Sequence, residues 1–208
     1  MATLTETKIA NMAIGKVGGK QIATGFTLDT DTTPDGLQAA LHYEQTRDAL
    51  LRSFVWRFAT RRANLQMDSV VPAFGWTTQF ILPTDFLRMI SVYIGEIENP
   101  SQIDETLYAV EGNKLLTNEE TFGIRYIKKV TDVTLFEPLF TEVLILQLAI
   151  KLLYAIAGTD TVQLKQSIEM ELRQTLGSAR LVSLSESNIQ GRRHHSMMYF
   201  KNMNTLQQ

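Results

Sequence analysis

Residues 138–157 read PLFTEVLILQLAIKLLYAIA, the most apolar run of the chain. Pro138 suits the first helical position, where its missing amide hydrogen costs nothing, and Gly158 follows as a stop. Phe140, Leu144, Leu148 and Leu152 recur at intervals of four. Apolar residues fill most other sides too, which predicts a central helix. Glu142, Gln147 and Lys151 interrupt the run, and each is costly in lipid. The run therefore reads as a buried helix of a soluble protein and not as a membrane span.

After this helix, Asp160 is the expected cap of another. In it Leu164, Ile168, Leu172, Leu176 and Ala179 form a stripe, with Glu169, Glu171 and Arg173 off it. Before it, residues 70–133 read as a small antiparallel sheet. Gln79–Leu82 is a short strand stopped by Pro83, Leu87–Ile94 a second, and Gly123–Val130 the last. Tyr108–Glu111 and Lys114–Thr117 flank Gly112-Asn113, a hairpin signal in which those residues accept positive φ.

The N-terminal part is helical again. Thr3 and Glu6 have capping-box spacing, and Ile9, Met12 and Ala13 share a face of a helix over Leu4–Lys16. Gly18-Gly19 ends it. The polar segment Thr24–Asp35 is expected at the surface. Thr33 and Pro34 open a second helix through Leu37, Leu41, Leu51 and Phe54 to about Arg61, with Arg57, Arg61 and Arg62 at its C-terminal end, where the dipole favours cations. The expected fold is α+β, mainly α: an antiparallel bundle of about four helices with a small antiparallel β insertion and an extended C-terminal tail. The segments are 1–69 (helices 1 and 2), 70–133 (β insertion), 134–185 (helices 3 and 4) and 186–208 (tail).

The 208 residues include no cysteine and carry a net charge of −2, so neither disulfides nor thiolate metal sites are available. The start of the chain lacks a secretion-signal pattern. Gly15–Lys20 suggests a phosphate loop, but Ile14 stands where glycine is needed and Gln21 where Ser or Thr is needed. His194 and His195 are adjacent, which suits a metal poorly, and His42 has no nucleophile partner in the sequence. No enzyme chemistry, cofactor or metal is expected. Trp56, Phe54, Phe58 and Trp76 read as core anchors. The tail holds Arg192, Arg193 and Lys201 against Glu186, a net of +2 that leaves −4 on residues 1–185. It also holds Met197, Met198, Tyr199 and Phe200 without helical period; it either stays disordered or orders against a partner.

Several segments, in order, resemble the tail tubular protein A family of short-tailed bacteriophages. They are Ile9–Gly18, Arg47–Arg52, Trp56–Ala59 with Arg61–Ala63, Leu82–Arg88, Gly112–Thr117 and Phe136–Phe140 leading into Gln147–Ala149. The chain departs from the family at Val55, often proline there, and at Arg57, often asparagine. The resemblance spans roughly residues 4–185. It implies a structural virion protein, a head-to-tail adaptor forming a ring, usually of about twelve copies, between portal and tail nozzle. It implies a virion location at the portal vertex, host cytoplasm during assembly, and double-stranded DNA crossing the lumen without sequence-specific binding. No membrane partner is implied. On that reading the portal protein and nozzle protein are partners, and Arg192, Arg193, Tyr199 and Phe200 are the expected portal contacts. The alternatives are a head-completion connector of another phage class, or a nucleic-acid-binding module using the basic tail with Arg57, Arg61 and Arg62.

Overall fold

The computed structural model describes residues 4–94, 97–99, 108–158 and 161–185. Among them are helices α1 (Glu6–Lys16), α2 (Pro34–Ser53), α3 (Pro138–Ile156) and α4 (Val162–Ser185). The strands are β1 (Thr60–Asn64), β2 (Gln66–Met67), β3 (Thr78–Ile81), β4 (Phe86–Ile94), β5 (Ile97–Asn99), β6 (Tyr108–Glu111), β7 (Lys114–Thr117) and β8 (Gly123–Lys128). The described residues before Ile9, with Ala40–Phe136, form one compact unit. Ile9–Ala39, with those from Glu137 onward, form a second.

The second unit is helical. Pro138 occupies the first turn of α3, and Gly158 at φ 78° follows its end. Phe140, Val143, Leu144, Leu146, Leu148, Ala149, Leu152 and Leu153 are buried, on all sides of the helix. Such enclosure is what an apolar run with few charges requires. It is also the one described helix long and apolar enough to cross a membrane. α4 packs along α3 and buries only Ile168, Ala179 and Ser183. α1 buries Ile9, Ala10, Ala13 and Ile14, and Lys16 reaches Glu171 of α4 at 2.5 Å. Gly18 adopts φ 78° and the Gly19 N–H donates to the Ile14 carbonyl at 3.0 Å, so these glycines stop α1. A Cβ on Gly19 would stand 2.7 Å from Ile156 Cγ2. The Asn11 side chain holds both backbone groups of Ile22, at 2.7 and 3.1 Å, and so fixes the chain leaving α1.

The first unit holds α2 from Ala40 onward together with a β-sandwich. One sheet has the order β1-β8-β4-β5 and the other β2-β3-β7-β6, both antiparallel. Val92, Ile124 and Tyr126 from one face meet Phe80, Tyr108 and Leu115 from the other, with Phe122 among them. Phe122 lies 6.1 Å from Phe80 and 5.9 Å from Tyr108, ring to ring. The chain passes from the first sheet to the second at Leu65, whose N–H donates to the Phe122 carbonyl at 2.8 Å. Gly112 and Asn113 make the expected tight turn between β6 and β7. Only Gly112 has positive φ, 59°, which fits the turn type with glycine first.

Several expectations need correction. The protein is α+β, but it is not a helical bundle with a small insertion: two four-stranded sheets form a core of their own. The sheet region begins at Thr60, not residue 70, because Thr60–Asn64 pairs with β8 in full register. α2 ends at Ser53, not near Arg61. There the Ser53 hydroxyl and the Trp56 indole N–H both donate to the Leu50 carbonyl, at 2.8 and 2.9 Å, and fold the chain back over the last turn of α2. α1 starts at Glu6, with the Thr5 hydroxyl accepting the Lys8 N–H; Thr3 lies outside the described residues. Thr33 does cap α2, accepting from Gly36 N–H at 3.3 Å. Yet Leu37 and Leu41 are exposed, because Ala39, Tyr43, Arg47 and Leu50 take the inner face of α2; Met12 on α1 and Leu164 on α4 are exposed too. The polar segment before α2 is not all surface: Leu28 and Asp31 are buried, and the Asp31 carboxylate accepts from both the N–H and hydroxyl of Thr33. The expected cap Asp160 and the tail 186–208 lie outside the described residues.

Leu148 is fully buried in α3, so Leu148→Ala should cost about 2–5 kcal/mol by transfer and cavity terms. Denaturant unfolding checks this, and a loss below 1 kcal/mol would contradict the central place of α3.

Candidate functional site

The arginines expected as a group at a helix end are not a group. Arg57 lies in the turn after α2, and Arg61 and Arg62 lie on β1. Successive strand residues point to opposite faces. Arg61 reaches Asp85 at 3.4 Å, whereas Arg62 sits over the Tyr93 ring, 5.8 Å from its centroid. The dipole argument fails because no helix ends there. Asp85 is a structural anchor: it also accepts the Tyr126 hydroxyl at 2.8 Å, and its carbonyl accepts Lys129 N–H at 2.6 Å. Burial, then the bond to Asp85, pushes the Tyr126 phenol up to about 12.

A different arginine, not singled out by sequence, is buried. Arg47 has a side chain 2% exposed. Its Nε donates to Asp48 at 2.9 Å, and its other nitrogens lie 3.4 Å from Glu44 and 3.6 Å from Glu6. Lys129 meets the far oxygen of Asp48 at 3.1 Å. Burial opposes the charge on Arg47, but the Asp48 bond and the charges of Asp48 and Glu44 outweigh it and raise its pKa. Burial, then the Glu6 charge, raises the Tyr43 phenol beside it. The Glu44–Arg47 spacing of three residues is a helix-face pair, the one signal available beforehand. Arg88, on β4, is lowered by burial and by the neighbouring charge of Arg52.

Among the described residues are three concavities. A cleft of about 320 Å³ on the sandwich is lined by Asn64, Leu65, Met67, Phe80, Tyr93, Glu120, Thr121, Phe122 and Gly123. A neighbouring one of about 290 Å³ adds Arg62. A third, about 530 Å³, lies between α1 and α3 beside Lys16 and Glu142. None brings together a nucleophile, a base and an orienting group among the described residues. No group of three or more His, Asp or Glu suited to a metal occurs among them either. His42 lies on α2, where its carbonyl accepts the Thr46 hydroxyl at 2.7 Å. Arg192, Arg193, Tyr199, Phe200, His194 and His195 lie outside the described residues.

What stands out is apolar surface held in place. Between β2 and β3 the chain reads Val70-Val71-Pro72-Ala73-Phe74-Gly75-Trp76. Phe74 is 88% exposed, Val70 and Val71 are exposed, and Trp76 is half-buried, not a core anchor. Trp56 is the core anchor, fully buried, while Phe54 and Phe58 are half-buried. The loop is pinned at both ends. Asp68 accepts from Lys114, from Gln79 at 3.1 Å and from Val70 N–H at 3.3 Å. At the other end, the Asn118 side chain accepts from the Thr77 N–H and hydroxyl, at 3.1 and 3.3 Å. In the helical unit, Val162, Met170, Leu181, Val182 and Leu184 are exposed along α4. No known protein family matches the chain, and no curated protein matches it.

Two outcomes follow. Arg47→Ala should cost about 2–4 kcal/mol, mostly as a cavity. Arg47→Met should cost less than half as much, because Glu44 and Glu6 keep solvent access. Thermal unfolding of both variants checks this, and equal losses would contradict it. The Lys114 bond, then the Val70 N–H, holds the Asp68 carboxyl below its usual range. A carboxyl depressed on folding stabilises above its unfolded value, near 3.9, and that stabilisation is lost as pH falls through the folded value. Lys114→Met should flatten the loss of stability below about pH 4. An unchanged acid profile would remove Asp68 from the account.

Proposed function

We propose that this protein is a structural subunit of a short-tailed phage virion, a head-to-tail adaptor that forms a ring between portal and tail nozzle. The observation that carries the reading is exposed apolar surface among the described residues: Val162, Met170, Leu181 and Val182 of α4 and the pinned Val70–Trp76 loop. Soluble monomers rarely leave such patches open; assembly partners cover them. The ordered resemblance from Ile9 to Ala149 supplies the family, and it assigns the sheet part to the next tail component. On this reading the Phe74 loop is the contact with the nozzle protein. It enters an apolar pocket with little ordering cost, because both its ends are fixed beforehand. Helical faces pack from copy to copy, and Arg192, Arg193, Tyr199 and Phe200 contact the portal. DNA crosses a lumen that does not grip its phosphates, consistent with the charge of −4 on residues 1–185.

Light scattering tests it. The protein should gain mass stoichiometrically when mixed with the portal protein encoded beside it. A small oligomer indifferent to any portal or nozzle protein would refute the reading. Phe74→Ser should leave unfolding unchanged and weaken nozzle binding about tenfold or more, as loss of a buried aromatic anchor does. Undiminished binding would place the nozzle contact elsewhere.

A further inference from the structure

Side chains of a regular strand alternate between its faces. Val92 of β4 lies in the sandwich core, so strict alternation would send Arg88, four residues earlier, to the same face. The strand avoids this by being irregular on both sides of Arg88. Its register against β8 shifts between Phe86 and Arg88 and again between Met89 and Ser91. Phe86 and Met89 pack against the core instead. Arg88 stands opposite Ile127, whose neighbour Tyr126 is a core residue, so Arg88 belongs to the outer face. Bulges re-aim side chains in this way and are common beside functional sites.

The end of α2 brings a second arginine to that face. Thr60 of β1 shares the row of Ile127 and Arg88, and its hydroxyl donates to the Trp56 carbonyl in the turn that follows α2. Arg52 is exposed in the last turn of α2, and its charge acts on Arg88. Neither has a carboxylate partner among the described residues. Asp48, one turn before Arg52, is held by Arg47 and Lys129, and Asp85 by Arg61 and the Tyr126 hydroxyl. From Ala49 to Met67, and along β4, the sequence has no acid. Arg88 is half-buried, and its Nε is buried without an acceptor. Enclosing a cation beside a like charge is unfavourable, and no described residue compensates it.

We infer that Arg52 and Arg88 form a site for a phosphate group. A carboxylate has one charge and two oxygens, which a single guanidinium fork satisfies. Two guanidinium groups match the further charge and oxygens of a phosphate. The inference does not depend on the adaptor reading, which gives these residues no role.

Inorganic phosphate is the probe. It should raise the thermal midpoint of the wild-type protein above that in sodium chloride of equal ionic strength. Arg52→Met and Arg88→Met should each weaken phosphate binding about tenfold or more, as loss of a bond to a charged group does. Arg173→Met, on α4, should leave it unchanged. Circular dichroism checks folding, and the exposed Arg52 carries the test if Arg88→Met does not fold. A labelled DNA duplex separates the sources of phosphate. Duplex binding lost in the same variants would name the nucleic-acid backbone, and phosphate binding without duplex binding would name a small phosphate-bearing molecule. No phosphate-specific shift in the wild type, or equal shifts in the wild type and the folded Met variants at these two positions, would overturn the inference.

Discussion

The structure depends on one hydrogen bond at the place where helix gives way to sheet. The buried indole N–H of Trp56 donates to the Leu50 carbonyl, and Ser53 shares that acceptor. These two bonds tie the chain back onto the last turn of the helix, and it leaves the helix axis there. The Trp56 carbonyl then receives Ala59 N–H at 3.2 Å and the Thr60 hydroxyl at 2.8 Å, which aims the backbone into β1. Phe54 packs edge-on to the indole at 5.3 Å, and Phe58 bridges towards Phe136 at 5.8 Å. Remove that turn and β8 loses one of its two neighbours.

A second constraint is the treatment of charge. Arg47 is enclosed, while its acids keep more contact with water: Glu44 is 72% exposed, Glu6 37% and Asp48 26%. The cluster therefore keeps hydrated partners around one buried cation, which lessens the desolvation penalty of a wholly buried pair. Asp85 and Asp68 act similarly at the two ends of the β3–β4 region, each tying a backbone turn to a side chain from another strand. These carboxylates fix geometry in the sandwich. The proposed assembly function rests instead on apolar surface that is exposed among the described residues.

Much of the fold was legible. Pro138 and Gly158 bound α3, Thr33 and Pro34 opened α2, and Gly112-Asn113 turned the hairpin, because each depends on φ or on a local hydrogen bond. The strands β3, β4, β7 and β8 were visible as apolar runs. β1 was not: Thr-Arg-Arg-Ala-Asn has neither strand composition nor alternation, and it is a strand because β8 pairs with it. The same holds for β2 and β5, only two and three residues long. The candidate site was read less well. The basic cluster assumed a helix that ends earlier, and the pinned loop was hidden because exposure cannot be read from Val, Phe and Trp alone. Leu37 and Leu41 show the same limit, apolar yet outside, while Arg47 is inside.

By itself the sequence determined the α+β class, the central helix, the local stops and the absence of any thiol, since these follow from composition and from interactions within a few residues. Tertiary structure alone decided that there are two sheets, that Arg61 and Arg62 face opposite ways, and that a charge-free loop stands exposed on fixed ends. Those outcomes depend on pairing between segments far apart in the chain, and a strand's partner is not written in its own residues.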